Sequence, residues 1–555
     1  MIVCKIKVYT TIFKMNIIKI KPYYIAIFLL LFFGCNQNKT QEKRTKSIRL
    51  VNNDSVDAAT LNNDYVDFKP ISNLNFDLSF KVFSYDTALN IHPNISYSKD
   101  YSSDTTSIFC FRGNHFRNSP SRGNIIGKPK LLTLDWKYIT SYDTTTTAFG
   151  TWGGGSGWTG QPCAIRWNID QKRKLGIKDE KYLNNESAYE IIIGSLCGDI
   201  YFLNSDNGVP TRDKISIKNP IKGTVSVDPR KNGLLYVGQG IQHTDRFGAY
   251  VFDMFSKKEV FFINGKDKDS KRFWGAFDSN PLIDYKTGQV IWPAENGIIY
   301  KFTIENNRST SFSKMLYNHS ELFRRGIESS IAAIGSYGFF LDNSGSIICV
   351  ELNTLEPIWN VTNFDDSDAT VMIDKEKDKG FFLYVGNEVD KLAPLNNSYF
   401  RKIDASNGQE VWKVSRNCFG TNINGETNSG GILAGPVLGK NKGKDLVYCL
   451  FSRVDTKNKG ELVAMNKYTG NEVFSVFLDS YSWASPVDFY DENGNIYLFF
   501  TDVNGTLHII DGRNGEIIYK EKTKFVFEAS PIIIDDKIFV GARDRYVLCF
   551  NIETN

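Results

Sequence analysis

From about residue 130 onward, apolar residues come in short runs broken by Gly, Asn and Asp, with almost nothing at the 3.6-residue period of a helix. Stretches such as "KIFVGARD" (537–544) and "TLHIID" (506–511) have the length of strands and end in turn-forming residues. The runs recur in groups of four. Each group opens with a small-residue segment, "ASPV" (484–487), "ASPI" (529–532), "DSNP" (278–281) or "LAGPV" (433–437), and continues through three further strands. The pattern predicts an all-β domain built from four-stranded antiparallel units.

The turn between the third and fourth strands carries a register of its own. Asp404, Asn407, Gly408 and Trp412 are matched by Asn466, Thr469, Gly470 and Phe474, and again by Asp511, Asn514, Gly515 and Tyr519. Looser copies hold Glu351, Thr354 and Trp359; Asp253, Ser256 and Phe261; and Asn204, Asn207 and Gly208. Asn or Asp followed by Gly makes a tight turn in which Gly supplies a positive φ. The aromatic four residues later is expected to lie flat on the neighbouring unit. One four-stranded sheet cannot hide both of its faces, so such sheets stack around an axis as propeller blades, with the aromatics between them.

Lead-in segments near Gly160, Gly223, Asp278, Glu328, Asp366, Gly431, Ala484 and Glu528 predict an eight-bladed β-propeller. The last unit stops at "CFNIETN", where its fourth strand is due. "LLTLDWKYIT" (131–140) belongs to no unit, and Trp136 has the context of Trp412. This N-terminal strand is therefore expected to close the ring, which would otherwise end in an open edge.

The N-terminus divides differently. From Met15, the better start, two lysines precede an apolar run from Tyr23 to Phe33 that ends in Gly34 and Cys35. The run has the length of a signal-peptide core rather than a membrane span. It resembles the lipobox of bacterial lipoproteins, departing from the usual Leu at Phe32, which implies lipidation at Cys35 and a cell-envelope location. Residues 1–35 are read as this signal peptide, 36–105 as a polar tether with a strand near "FDLSFKVF" (76–83), and 106–555 as the propeller.

Composition narrows the function. A net charge of +4 over 555 residues, with no long basic run, argues against nucleic acid as a partner. The nine cysteines include no CxxC and no adjacent pair, and Cys197, Cys349, Cys449 and Cys549 sit in apolar runs as small buried hydrophobes. The five histidines are scattered without metal-ligand spacing. "GTWGGGSGWTG" (150–160) has no following Lys-Ser or Lys-Thr and is no phosphate loop. Its glycines flank Trp152 and Trp158, with Gln161 next, and "RFWGAF" (272–277) repeats the theme with Arg272 and Trp274. These five residues are the candidates for contact with a ligand or partner.

The DxxxGxxxW register, the eight units and "FRGNHFRNSP" (111–120) resemble the PQQ-like, or quinoprotein-type, β-propellers over roughly residues 108–555. The resemblance implies one of two roles: a dehydrogenase that binds pyrroloquinoline quinone, or a cofactor-free scaffold of the BamB type. The dehydrogenases need a catalytic Asp, a calcium ion and a Trp platform, and many carry an adjacent-cysteine disulfide absent here. CxxCH, the haem attachment, is also missing. Glu328, Asp278, Asp366 and Glu528, near lead-in segments, have two readings, side chains facing the axial channel or solvated and turn-capping carboxylates; the second is preferred, so no catalytic or metal site is assigned, and the quinone and calcium are disfavoured. The expectation is a membrane-tethered scaffold with protein partners, facing the periplasm from the outer membrane. A periplasmic quinoprotein-type enzyme or a carbohydrate-binding propeller is the alternative. Trp136, Phe261, Trp359, Trp412, Phe474 and Tyr519 are assigned to the inter-blade packing.

Overall fold

The computed structural model describes residues 65–555 except 66, 75–77, 86–92, 99–100, 148–149, 320–324 and 421–428. Met15 and Cys35 lie outside the described residues. Eight antiparallel sheets form an eight-bladed β-propeller. In chain order blades 1 to 7 occupy 163–216, 226–264, 282–319, 332–362, 372–419, 437–478 and 487–522. Blade 8 combines 532–554 with 129–139. Every lead-in segment read from the sequence precedes one of these blades.

The ring closes as the strand count requires. Tyr546–Thr554 pairs antiparallel with Pro129–Ile139, and Cys549 lies opposite Trp136. Trp136 is buried, and its Nε1 donates to the carbonyl of Ser205 in blade 1 at 3.0 Å. A short hairpin, Tyr142–Thr147 with Gly150–Gly154, follows this closing strand.

Burial grades outward along each blade. The third strands Asp199–Asn204 and Thr506–Asp511 are buried at every position, whereas the outermost Ile517–Lys522 is mostly exposed. Apolar side chains collect in wedges between neighbours: one joins blades 4 and 5, others join 5 with 6, 6 with 7, 7 with 8, and 8 with 1. Stability is thus shared between adjacent blades, as expected when no sheet covers itself.

The turn motif shows why Gly and the aromatic travel together. Asp404 accepts the N–H of Ser406 on its side chain at 2.8 Å, and its carbonyl accepts the N–H of Gly408 at 2.9 Å. Gly408 then carries φ +74°, and the ring of Trp359, one blade back, covers it. The Nε1 of Trp359 donates to the carbonyl of Ala405 in the same turn at 3.2 Å. Trp412 repeats this on the turn of Asn466, donating to Lys467 at 3.0 Å. Phe474 covers Gly515, Phe261 packs on Phe302 at 5.1 Å, and Tyr519 reaches the carbonyl of Leu132 at 3.4 Å. All six assigned aromatics touch the following blade.

Residues before the propeller proper extend it. Leu78–Ser84 pairs antiparallel with Arg308–His319 as a fifth strand of blade 3, which is the strand read at 76–83. Asn73–Leu74 runs parallel to the outer strand of blade 4. All seven cysteines among the described residues are free and buried.

Candidate axial site

Residues 108–125 form a hub that touches all eight blades. Ile108 bridges Ala164 of blade 1, and the carbonyl of Phe109 accepts from Val227 of blade 2 at 2.9 Å. Phe111 donates to Asn280 Oδ1 at the start of blade 3, and His115 and Phe116 accept from Ala333 and Ile373 of blades 4 and 5. Arg112 sends Nη2 to Pro436 at 2.7 Å and Nη1 to Pro486 at 2.8 Å, entering blades 6 and 7. Ser121 and Arg122 then pair with Ile533 and Ile534 of blade 8. Arg112 and Arg117 are buried with positive φ, a strained backbone that their fans of carbonyl acceptors hold in place. The segment that resembled a family signature is therefore an axial plug.

Above the plug, the lead-in segments present one side chain each to the axis. Ser330, Ser485 and Ser530 each accept, on the hydroxyl, an N–H from the same position of the preceding blade: Asn280, Gly435 and Ser485, at 2.9, 2.9 and 3.0 Å. Thr224 and Thr370 do so for Gln161 and Ser330. This fixes a common register, and the residue two before each of these positions turns inward. In ring order from blade 1 these are Thr159, Lys222, Asp278, Glu328, Asp368, Leu433, Trp483 and Glu528. All but Lys222 and Glu528 line the two cavities on the axis, with Phe111 of the plug beneath and Trp158 alongside. Each cavity has a volume of about 30 Å³, room for about two or three waters.

The well is acidic. Asp278 and Glu328, read as solvated or turn-capping, converge instead on the axis with Glu295, and ligand oxygens of the three lie within 4.8 Å of one another. Asp366, Asp368 and Glu388 form a second such group. The two groups bring together carboxylates that the sequence presents singly. Glu528 departs from them, sitting 3.6 Å from Arg543. Lys222 ion-pairs with Asp278, and Arg272 lies 3.8 Å from Glu295. Burial drives the carboxyls of Glu295, Asp366, Asp368 and Glu388 well above the usual range, reinforced by their acidic neighbours. Glu328 is the exception: burial pushes it up, but Lys222, a hydrogen bond with Glu295 and Arg272 hold it below its ordinary value. Asp278 pulls Lys222 upward against the desolvation that would lower it.

Two indoles line the mouth. Trp158, with φ +56°, lies 5.4 Å from Trp483 and 6.0 Å from Trp152, and the ammonium of Lys222 rests 4.7 Å over its ring. Of the five candidate contact residues, Trp158 and Arg272 meet at this well and Trp152 backs Trp158. Trp274 packs on Phe247 at 5.9 Å. Gln161 takes a different part: it is buried, its Oε1 accepts the N–H of Arg112 and its Nε2 reaches Cys110, so its amide serves the plug. Glu295, Asp368 and Glu388 escaped the sequence reading. Asp368 was legible, because it stands two before Thr370 as Asp278 stands two before Asn280. Glu295 lies in the turn after the second strand of blade 3 and Glu388 in the short strand Glu388–Val389 after that of blade 5, where no repeated spacing marks them.

No family model matches the chain, and no curated protein matches it. Among solved structures, a quinohemoprotein alcohol dehydrogenase of Pseudomonas putida HK5 is 11% identical, with a TM-score of 0.53 over 81% of each chain. That likeness is one of fold, the eight-bladed propeller of the PQQ type. BamB of Moraxella catarrhalis is 16% identical with a TM-score of 0.44, over 65% of this chain and 93% of that one. A computationally designed protein is 12% identical, also at 0.44, with the same coverage.

Proposed function

We propose that the protein is a lipid-anchored envelope propeller that binds protein partners on its exterior and turns over no substrate at its axis, in the manner of BamB-type scaffolds. The observation that carries this reading is the closed axis. A propeller dehydrogenase holds its quinone there, but here the hub fills one end, Trp158 and Trp483 line the other, and about 30 Å³ remains in each cavity. Such spaces take waters or an ion and not a fused-ring cofactor. The absence of adjacent cysteines in the sequence points the same way.

With the axis shut, contact falls to the outer surface. Phe273 is 95% exposed beside Arg272 at the mouth, and Val473 and Phe477 lie exposed on the outer strand of blade 6. Among the described residues no helix is long and apolar enough to cross a membrane. Attachment is assigned to Cys35, where an acylated terminus holds a membrane through burial of its methylenes.

The test is purification of the tethered protein from detergent-solubilised membranes. Subunits of an outer-membrane β-barrel assembly machine are expected to copurify, and Cys35→Ser is expected to move the protein to the soluble fraction. Dye-linked oxidation of alcohols or aldose sugars after reconstitution with pyrroloquinoline quinone and calcium would overturn the non-catalytic reading.

A further inference from the structure

Lys222 and Asp278 hold the same register position in the lead-ins of blades 2 and 3, two before Thr224 and Asn280. Their side chains are 7% and 6% exposed and are ion-paired in the axial well. We propose that the two are joined by an isopeptide bond, which the folded chain forms by itself with Glu295 and Glu328 as acid and base. The inference goes beyond the scaffold reading and does not rest on it. The step occurs once per chain, between the chain's own side chains, and consumes no substrate.

Packing holds the reacting groups together. Gly240 lies against both, and a Cβ there would collide with the carboxyl of Asp278 and the methylene stem of Lys222. The ammonium also rests 4.7 Å over the ring of Trp158, while Phe111, Leu433 and Trp483 line the space beside Asp278. An ion pair is costly to keep charged in such surroundings. Passing one proton from Nζ to the carboxylate leaves an amine beside a carboxylic acid, with no change in net charge. Burial raises the carboxyl of Asp278 and so favours that form. An amine and a carboxylic acid are the partners of a condensation.

The neighbouring carboxyls supply the acid and the base. Oxygens of Asp278, Glu295 and Glu328 lie within 4.8 Å of one another. Oδ1 of Asp278 and Oε1 of Glu295 are buried and meet no donor, which is rare for such atoms, and a proton on Glu295 would serve both. Burial and its acidic neighbours raise the carboxyl of Glu295, whereas Lys222, Glu295 and Arg272 hold Glu328 down against burial. Two carboxyls pushed apart in this way take opposite roles. Glu295 donates to Oδ1 as negative charge develops there, and Glu328 takes the proton that Nζ sheds on attacking Cγ. One Nζ–Cγ bond forms and one Cγ–O bond breaks. The ammonium gives up two protons in all, which leave with the carboxylate oxygen as water. Glu295 and Glu328 end as they began, and nothing is oxidised or reduced.

The full chain is denatured, digested with trypsin and mapped by tandem mass spectrometry. Trypsin does not cut after an acylated lysine, so the bond is expected to give a branched peptide of residues 219–230 joined to 273–286. It is expected to weigh one water less than its two parts, with fragmentation placing the link at Lys222 and Asp278. Lys222→Arg, which keeps the charge, is expected to abolish the link. Glu295→Gln and Glu328→Gln, which keep size, are each expected to leave most of the two peptides separate. Glu516→Gln, on the surface, is expected to link as fully as the wild type. Wild-type peptides recovered only as separate species overturn the proposal, as does a link that persists undiminished in both well variants. Should those variants fail to fold, the wild type decides: the branched peptide supports the bond, and its absence overturns it.

Discussion

The indole of Trp412 lies over Gly470 of the next blade, where a Cβ would stand 2.8 Å from the ring carbons. Gly470 also holds φ +75°, so the glycine answers two demands at once. It permits the left-handed turn, and it leaves the space that the neighbouring blade's aromatic fills.

Gly470→Ala is therefore expected to cost about 2–4 kcal/mol, combining the left-handed penalty of an L residue with overpacking. Trp412→Ala is expected to cost about 3–5 kcal/mol. In the double variant the clash term disappears, and its total is expected to fall below the sum by about 1 kcal/mol or more. Urea unfolding of the three proteins measures the cycle. Strict additivity would show that ring and glycine act independently.

The same relationship explains how much of the fold was legible. Turn and aromatic recur at one spacing because each blade repeats one contact, so Asp404 to Trp412 carried the architecture in nine residues. The closing strand was legible because Trp136 bears the same context without a blade of its own. The axial plug was not, since 108–125 occur once and their hydrogen bonds run to residues hundreds of positions away, as from Arg112 to Pro486. In the well, reading Asp278 and Glu328 singly as solvated carboxylates missed that both stand two before a position whose polar side chain points round the ring. Single residues were ambiguous where their alignment across blades was not. Glu295 had no such alignment, and only the folded turn brings it to Asp278.

Ring closure gives the next expectation. Trp136 joins blade 8 to blade 1 through Ser205 and covers Gly208. Trp136→Ala is expected to lose about 3–5 kcal/mol in chemical denaturation. Tyr142→Ala, on the adjoining hairpin and 54% exposed, is expected to change stability by no more than about 0.5 kcal/mol. Deleting residues 1–140 is expected to yield aggregated protein, because it opens an edge and uncovers a face together, whereas deleting 36–60 is expected to leave a soluble, folded ring. Equal behaviour of the two deletions in size-exclusion chromatography would contradict the role of the closing strand.

Arg112 tests the plug. Its guanidinium spans two carbonyls in different blades, which a point-like ammonium cannot do with the same reach. Burial pulls its pKa down to about 10, so it stays charged at neutral pH. Arg112→Lys preserves the charge but strands at least one buried carbonyl, at about 1–3 kcal/mol for each acceptor left unpaired. The variant is expected to unfold at lower urea concentration and to exchange the amides of blades 6 and 7 faster. Wild-type stability in Arg112→Lys would mean that the charge, and not the fork, holds the hub.

His115 makes the fold sensitive to acid. It is buried against Tyr97, Tyr101 and Phe116, with centroids 5.5, 5.9 and 4.5 Å away, and neither ring nitrogen has a partner. Burial, aided by the positive charge of Arg117, lowers its pKa to about 3. An unfolded chain would protonate the same ring near pH 6.5. Above that pH neither state binds the proton and the imidazole contributes no pH dependence. Below it the unfolded state gains a proton that the folded state refuses, so stability falls by about 1.4 kcal/mol per pH unit until the folded pKa is reached. The carboxyls of Glu295, Asp366, Asp368 and Glu388 work in the opposite sense, because their raised pKa values make the folded state bind protons first. Total stability against pH therefore mixes the two, and the difference between variants isolates His115. His115→Phe retains a flat ring in the apolar pocket and cannot protonate. Between about pH 7.5 and 4.5 its stability relative to wild type is expected to rise by roughly 2–3 kcal/mol, read from urea midpoints at each pH. A difference that stays constant across that interval would show that the imidazole is protonated in the folded chain and that the hub opens to admit water.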